Sequence, residues 1–233
     1  AVWHHHAHAL AVMAEYGLDG PEFALVLDGT GAGPDGTVWG SELLDVTRSA
    51  FTRIAHGPQL PMPGGDAAAR EPWRMAVSLW TVLGRDVGTL PAVIVEEIGA
   101  DRLRAVASMV SRRLNAPLSS GAGRLWDAVA CLSGLAMTST YEAEAPVLLE
   151  GLASAQPPSD LTTDETIENL LPLLDRLIGQ ADGQPFTAAR DFHELYAALW
   201  VNTIVREARR LGRSRVILTG GVLQNLSLIH ISE

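Results

Sequence analysis

At 233 residues, 47% hydrophobic and 19% charged, the chain is long enough to bury one large core or two small lobes, and its composition is that of an ordinary soluble globular protein. Its formal charge of −10, from 27 acidic against 17 basic residues, argues against general binding to a nucleic-acid backbone, which needs a strong basic patch. No apolar run reaches the length of a bilayer span, and no secretory signal pattern is present.

His4–Tyr16 reads as a helix, rich in Ala, Leu, Met and Glu and stopped by Gly17. Phe23–Leu27 is a continuous apolar run, the signature of a buried strand. Asp28–Gly36 follows as a glycine-rich loop, and Thr37–Gly40 resumes an extended pattern, so the three pieces predict a β-hairpin. Pro58–Pro72 reads as loop, with Asp66 as an N-cap for the short run Ala67–Glu71. Helical patterns then dominate, over Trp73–Leu83, Asp101–Leu114, Gly123–Leu135, Glu142–Ala153, Asp164–Ile178 and Ala188–Leu211. In the second of these, Leu103, Val106, Ala107, Val110 and Leu114 fall on one face. Gln156–Thr163 is a polar connector. Arg215–Thr219 reads as a strand that feeds Gly220-Gly221. The whole is an α/β arrangement in which turns after strands are the natural ligand sites.

Three constellations can carry chemistry. In His4-His5-His6-Ala7-His8, the first and last imidazoles lie four residues apart on a helix and can reach one zinc or iron ion, with a carboxylate or phosphate completing the set. A run of histidines near an N-terminus can also be an expression-tag remnant, but this one is broken by Ala7 and merges into an amphipathic helix. The Asp28–Gly36 loop holds more glycines than a Pro34-Asp35-Gly36 turn needs. Its N–H groups could form a nest for phosphate, and Asp28 could ligate the metal. Gly220-Gly221, with Asn225 one turn on, permits close approach of a base or ribose to the backbone.

Other features read as structural. Cys131, the only cysteine, excludes an intramolecular disulfide, fits a reducing cytoplasm and sits in the apolar pattern of Leu125, Ala128, Val129 and Leu132. His193 beside Phe192 reads as a packed or capping histidine, and the tryptophans are scattered. The basic run Arg206, Arg209, Arg210, Arg213 and Arg215 reads as the solvated end of a helix. There is no G-x-S-x-G elbow, no Walker A sequence and no G-x-G-x-x-G fingerprint.

Taken in order, the segments His4–His8, Leu27–Gly31, Asp35–Gly40, Pro63–Arg74, Asn115–Ser120, Gly123–Val129, Tyr141–Ala145 and Gly220–Asn225 resemble the C-terminal, TsaD-like domain of the carbamoyltransferase HypF family. Pro63-Gly64-Gly65-Asp66 with Glu71-Pro72-Trp73-Arg74 is the most family-specific of them. The resemblance covers residues 1–225. Residues 226–233 read as a tail unrelated to the family, Ala143 stands where the family has glycine, and the chain reads as a domain cut short at both ends, without the upstream domains.

The resemblance implies an actin- and sugar-kinase-like (ASKHA) α/β fold of two lobes with nucleotide between them. It implies that His4, His8 and Asp28 hold zinc or iron, that Gly29, Thr30 and Gly31 face the phosphates, and that Asp127 and Glu144 hold ribose. Gly220, Gly221 and Asn225 would face the adenine nucleoside, and Arg70 or Arg74 would clamp the carbamoyl oxygen or a partner's carboxylate. It further implies a cytoplasmic enzyme that passes a carbamoyl group from carbamoyl adenylate, made from carbamoyl phosphate and ATP, to the C-terminal cysteine of HypE for the cyanide ligand of nickel–iron hydrogenase. The alternatives are an O-carbamoyltransferase acting on a small hydroxylated acceptor and a non-catalytic nucleotide- or partner-binding fragment.

Overall fold

The structure, a computed structural model, describes residues 2–179 and 184–225; the expected 226–233 tail lies outside the described residues. Among the described residues six strands form one sheet: β1 (Glu22–Ala32), β2 (Val38–Val46), β3 (Phe51–His56), β4 (Leu60–Pro61), β5 (Leu118–Ser119) and β6 (Val216–Thr219). Their order is β4-β5-β2-β1-β6, with β3 pairing β2. β1 and β2 are antiparallel, while β6 joins β1 in parallel and so arrives by a crossover through the helices.

The Phe23–Leu27 part of β1 is apolar without interruption because both its faces are covered. Phe23, Leu25 and Leu27 enter the larger core, whereas Ala24 and Val26 enter a smaller one, completed by Ala9 and Met13 of helix α1 (His4–Glu15). Burying each large side chain stabilises the fold by about 1.5–3 kcal/mol. The larger core lies under α3 (Pro72–Val82), α5 (Ala100–Arg112), α6 (Ala122–Leu132), α7 (Glu144–Ser154), α8 (Leu170–Gly179) and α9 (Ala189–Leu211). Among the described residues no helix is long and apolar enough to cross a membrane.

The expected elements are present with shifted ends, and four differences stand out. β1 continues through Asp28–Ala32, which the glycines mark as loop; a bulge between Leu27 and Gly31 absorbs the extra residues, and the turn itself is confined to Gly33–Thr37. Asp66 is the first residue of a short helix, α2 (Asp66–Arg70), and not its cap. α5 stops at Arg112, so Leu114 falls off its apolar face and is exposed. Strand β3 and helix α4 (Ala92–Ile98) are additional elements. Four arginines of the basic run are spent on ion pairs: Arg206 with Glu168 and Glu207, Arg210 with Glu207, Arg213 with Asp45 and Arg215 with Glu22.

Candidate functional site

α1 packs against β1 so that one face of its histidine run meets the bulge. His4 Nε2 lies 2.9 Å and His8 Nε2 3.3 Å from the same Asp28 Oδ2, and the two rings are edge-on at 4.8 Å. Burial pulls the Asp28 carboxyl upward, but hydrogen bonds from His4 and from the Gly29 N–H outweigh it and hold Asp28 below the usual carboxylate range. A second trio overlaps the first, since ligand atoms of His4, His5 and Asp28 all lie within 4.8 Å of one another. His8 is the better third donor because it reaches Asp28 Oδ2 itself, whereas the His5 ring is buried beneath the site. Burial pushes His5 down to about 4, so its imidazole is neutral, and neither ring nitrogen has a hydrogen-bond partner. Two exposed-edge imidazoles converging on one carboxylate make a donor set suited to zinc or iron. His6, on the opposite side of α1, is bonded through Nε2 to the Thr47 carbonyl and packs on Phe51.

The glycines of β1 serve this packing. A Cβ on Gly31 would lie 2.5 Å from His5 Cε1 and 2.6 Å from His4 Cδ2, so glycine makes room for the two imidazoles. Gly33 likewise makes room for the Trp39 indole. The expected phosphate nest therefore contracts to Gly29 and Thr30. The backbone closes tightly around them: a Cβ on Gly121 would meet the Gly29 carbonyl oxygen at 2.2 Å, and one on Gly220 would meet the Leu27 carbonyl oxygen at the same distance.

A cleft of about 690 Å³ opens from His4 and Asp28. Its walls are Gly29 and Thr30 of the bulge, Gly123, Arg124 and Trp126 of α6, Glu142 to Glu150 around the start of α7, and Gly221 to Asn225 after β6. Arg124 Nη1 sits 2.7 Å from Oδ2 of the buried Asp127, one turn along α6. Burial raises Asp127 to about 6 even against the opposing charge of Arg124. The Trp126 indole N–H donates to His193 Nε2 at 3.1 Å, which fixes His193 as the Nδ1–H tautomer, donating to the Ala189 carbonyl. Asn225 Nδ2 stands 3.4 Å from the same His193 nitrogen, so a buried histidine orients two residues of the cleft.

Of the residues expected at the site, His4, Asp28, Gly29, Thr30, Gly221 and Asn225 line the cleft, and His8 borders it through Asp28. Gly31 and Gly220 are steric positions. Asp127 lies beneath the wall, its Oδ2 paired with Arg124, and is not among the residues that line the cleft. Glu144 turns back to accept the Thr140 N–H and hydroxyl, leaving Glu142 and Ala143 on the cleft. Arg70 and Arg74 are not brought there: Arg70 is exposed at the end of α2, and Arg74 stacks on Trp73 and pairs with Glu71. Sequence reasoning missed Arg124 and Trp126. Their signal was the register of α6, whose first turn is drawn against Gly29 by the two small residues Gly121 and Gly123.

The family described as carbamoyltransferase, Kae1-like domain, second subdomain, matches residues 24–232. The chain is 43% identical over 240 residues to the carbamoyltransferase HypF homolog of Cupriavidus necator, covering 97% of this chain and 60% of that protein. It is 41% identical to carbamoyltransferase HypF of Rhodobacter capsulatus, covering 98% of this chain and 31% of that one. Its fold is similar to the crystal structure of T. kodakarensis HypF, with a TM-score of 0.83, 30% identity and 99% of this chain against 32% of that chain. It is also similar to full-length HypF crystallised in the phosphate- and nucleotide-bound form, with a TM-score of 0.79, 26% identity and 99% of this chain against 37% of that one. The mixed α/β architecture agrees with the actin- and sugar-kinase-like expectation. The chain thus spans between 31% and 60% of the length of these relatives.

Proposed function

The chain belongs to the carbamoyltransferase HypF family, and from that membership we propose that its cleft passes a carbamoyl group from carbamoyl adenylate to the C-terminal cysteine of HypE, towards the cyanide ligand of nickel–iron hydrogenase. The observation that carries the reading is the convergence of His4, His8 and Asp28 at one edge of a cleft within the usual size range of small-molecule sites. His4, His8 and Asp28 would hold zinc or iron, which supplies Lewis-acid neutralisation of phosphate charge when bound. Gly29 and Thr30 border the phosphate end, and Gly221 and Asn225, the latter held by His193, face the adenine nucleoside. A nucleotide in this cleft is supported by the relative crystallised with phosphate and nucleotide.

In the transfer, the acceptor thiolate attacks the carbamoyl carbon. A C–S bond forms, the C–O bond to the AMP phosphate breaks, and the electron pair leaves with AMP. The nucleophile comes from the partner. Cys131 does not compete, because it is fully buried and burial pushes its thiol far above the ordinary range.

The test supplies carbamoyl adenylate and HypE to the purified chain and reads the mass of the HypE C-terminal peptide. A gain of one carbamoyl group, lost in His4→Ala and Asp28→Ala, is expected. A folded chain that binds AMP yet transfers nothing overturns the reading, and transfer to a small hydroxylated acceptor instead would assign it to O-carbamoylation.

A further inference from the structure

The cleft is poorly furnished for an anion by its other charges. Asp28, Glu142 and Glu150 contribute three carboxylates, and Arg124 is the single Arg or Lys among the described lining residues. Beyond the metal that His4, His8 and Asp28 would hold, a phosphate entering there is stabilised by a further fixed cation and by fixed N–H donors.

Arg124 has the position for that task. Its side chain is only 13% exposed, and its stem is clamped in the first turn of α6 against the bulge. Nη1 faces Asp127 at 2.7 Å, while Nη2 points to Gly29, 3.6 Å from where a Cβ would stand. Nε and Nη1 are buried and make no aligned hydrogen bond, so the contact with Asp127 is electrostatic, and Nη2 is the part of the guanidinium left to meet a ligand. The first-turn N–H groups of Ala122, Gly123 and Arg124 have no carbonyl four residues back within α6, and Gly123 itself lines the cleft.

We propose that Arg124, with Asp127 as its buried counter-ion and the first-turn amides of α6 beside it, is the phosphate-recognising element of the cleft. The inference rests on the cleft's being the nucleotide site. In this arrangement Asp127 holds the guanidinium in place without reaching the ligand, and Gly123 has no room for a side chain because a Cβ there would stand 3.1 Å from the Gly29 Cα. The arginine thereby distinguishes a nucleotide from a nucleoside, whereas Asn225, held by the His193 that also holds Trp126, meets the nucleoside part common to both.

The experiment measures AMP and adenosine affinity by calorimetry for the wild-type chain, Arg124→Gln, Arg124→Lys and Arg124→Gln/Asp127→Asn. The double variant removes both charges together, so that a buried unpaired carboxylate does not confuse the result. Loss of a charge-assisted bond predicts AMP binding weakened by about 10- to 100-fold in both glutamine variants, adenosine binding within about twofold of wild type, and partial retention in Arg124→Lys. Unchanged AMP affinity, or equal losses for AMP and adenosine in a folded double variant, overturns the assignment. A wild-type chain that binds neither molecule refutes instead the reading of the cleft as a nucleotide site.

Discussion

Gly31 offers the sharpest perturbation of the histidine site. Its backbone is ordinary strand, so alanine meets no conformational strain, and the added methyl acts only through what it touches. It would sit 2.5 Å from His5 Cε1 and 2.6 Å from His4 Cδ2, against ordinary carbon contacts of about 3.5–4.0 Å. Both rings must retreat by roughly 1 Å, at the cost of about 1–3 kcal/mol typical of overpacking. Strand propensity returns part of this, since alanine is favoured over glycine by about 0.5–1 kcal/mol. Net destabilisation is therefore about 2.5 kcal/mol at most, and Gly31→Ala should remain folded. The same ring movement takes His4 Nε2 out of the roughly 2 Å reach of a metal shared with Asp28, so zinc affinity should fall by at least about 100-fold. Competition with a chromophoric chelator reads the affinity, and thermal unfolding followed by circular dichroism reads the stability. Wild-type zinc affinity in folded Gly31→Ala would falsify the claim that these imidazoles are positioned through this glycine.

Other substitutions test the frame around the site. Ala143 adopts φ 63° as the N-cap of α7, a left-handed conformation that favours glycine, so Ala143→Gly should stabilise the protein by about 1 kcal/mol in urea unfolding. Gly151, exposed within α7 with nothing near its missing Cβ, predicts a similar gain of about 1 kcal/mol for Gly151→Ala. The fully buried Glu42 carboxylate accepts from Gly40 N, Ser41 N, Ser120 Oγ and Arg53 Nε, so Arg53→Ala should cost about 3–5 kcal/mol by stranding it. Two buried groups give opposite pH slopes in the metal-free protein. His5, depressed to about 4, lets the unfolded chain bind the extra proton, so its contribution is intact above about 6.5 and declines as pH falls to 4. Asp127, raised to about 6, makes the folded chain bind more protons, so stability declines as pH rises from about 4 to 6. Each effect reaches about 3 kcal/mol at most. His5→Phe should uncover the Asp127 slope and Asp127→Asn the His5 slope; urea midpoints that keep the wild-type pH profile in both would contradict the assignment.

Much of this was legible in the sequence where the determinants are local. The uninterrupted run from Phe23 to Leu27 announced a strand covered on both faces, and α5 and α9 followed from helical periodicity. The spacing of His4 and His8 places two imidazoles on one side of a helix, and the end of the buried strand offers Asp28, whose Oδ2 both imidazoles meet. What could not be read depends on distant partners. Strand β3 carries Arg53 and His56 and is defined by its pairing with β2, while β4 and β5 are two residues each. The glycines of β1 look like a loop until the rings of His4, His5 and Trp39 are placed against them. Arg74 was an attractive anion clamp on motif grounds, yet Glu71 and Trp73, both beside it in sequence, occupy its guanidinium. Arg124 hid inside a helical pattern, because its nearness to Gly29 is a tertiary fact.

The most direct test of the central claim is the metal content and AMP affinity of the purified chain beside a His4→Ala/His8→Ala double variant. Near-stoichiometric zinc or iron that disappears in the variant is expected, with AMP binding weakened alongside it. Metal retained by the folded variant, or AMP affinity indifferent to its loss, would contradict the placing of metal and nucleotide in one cleft.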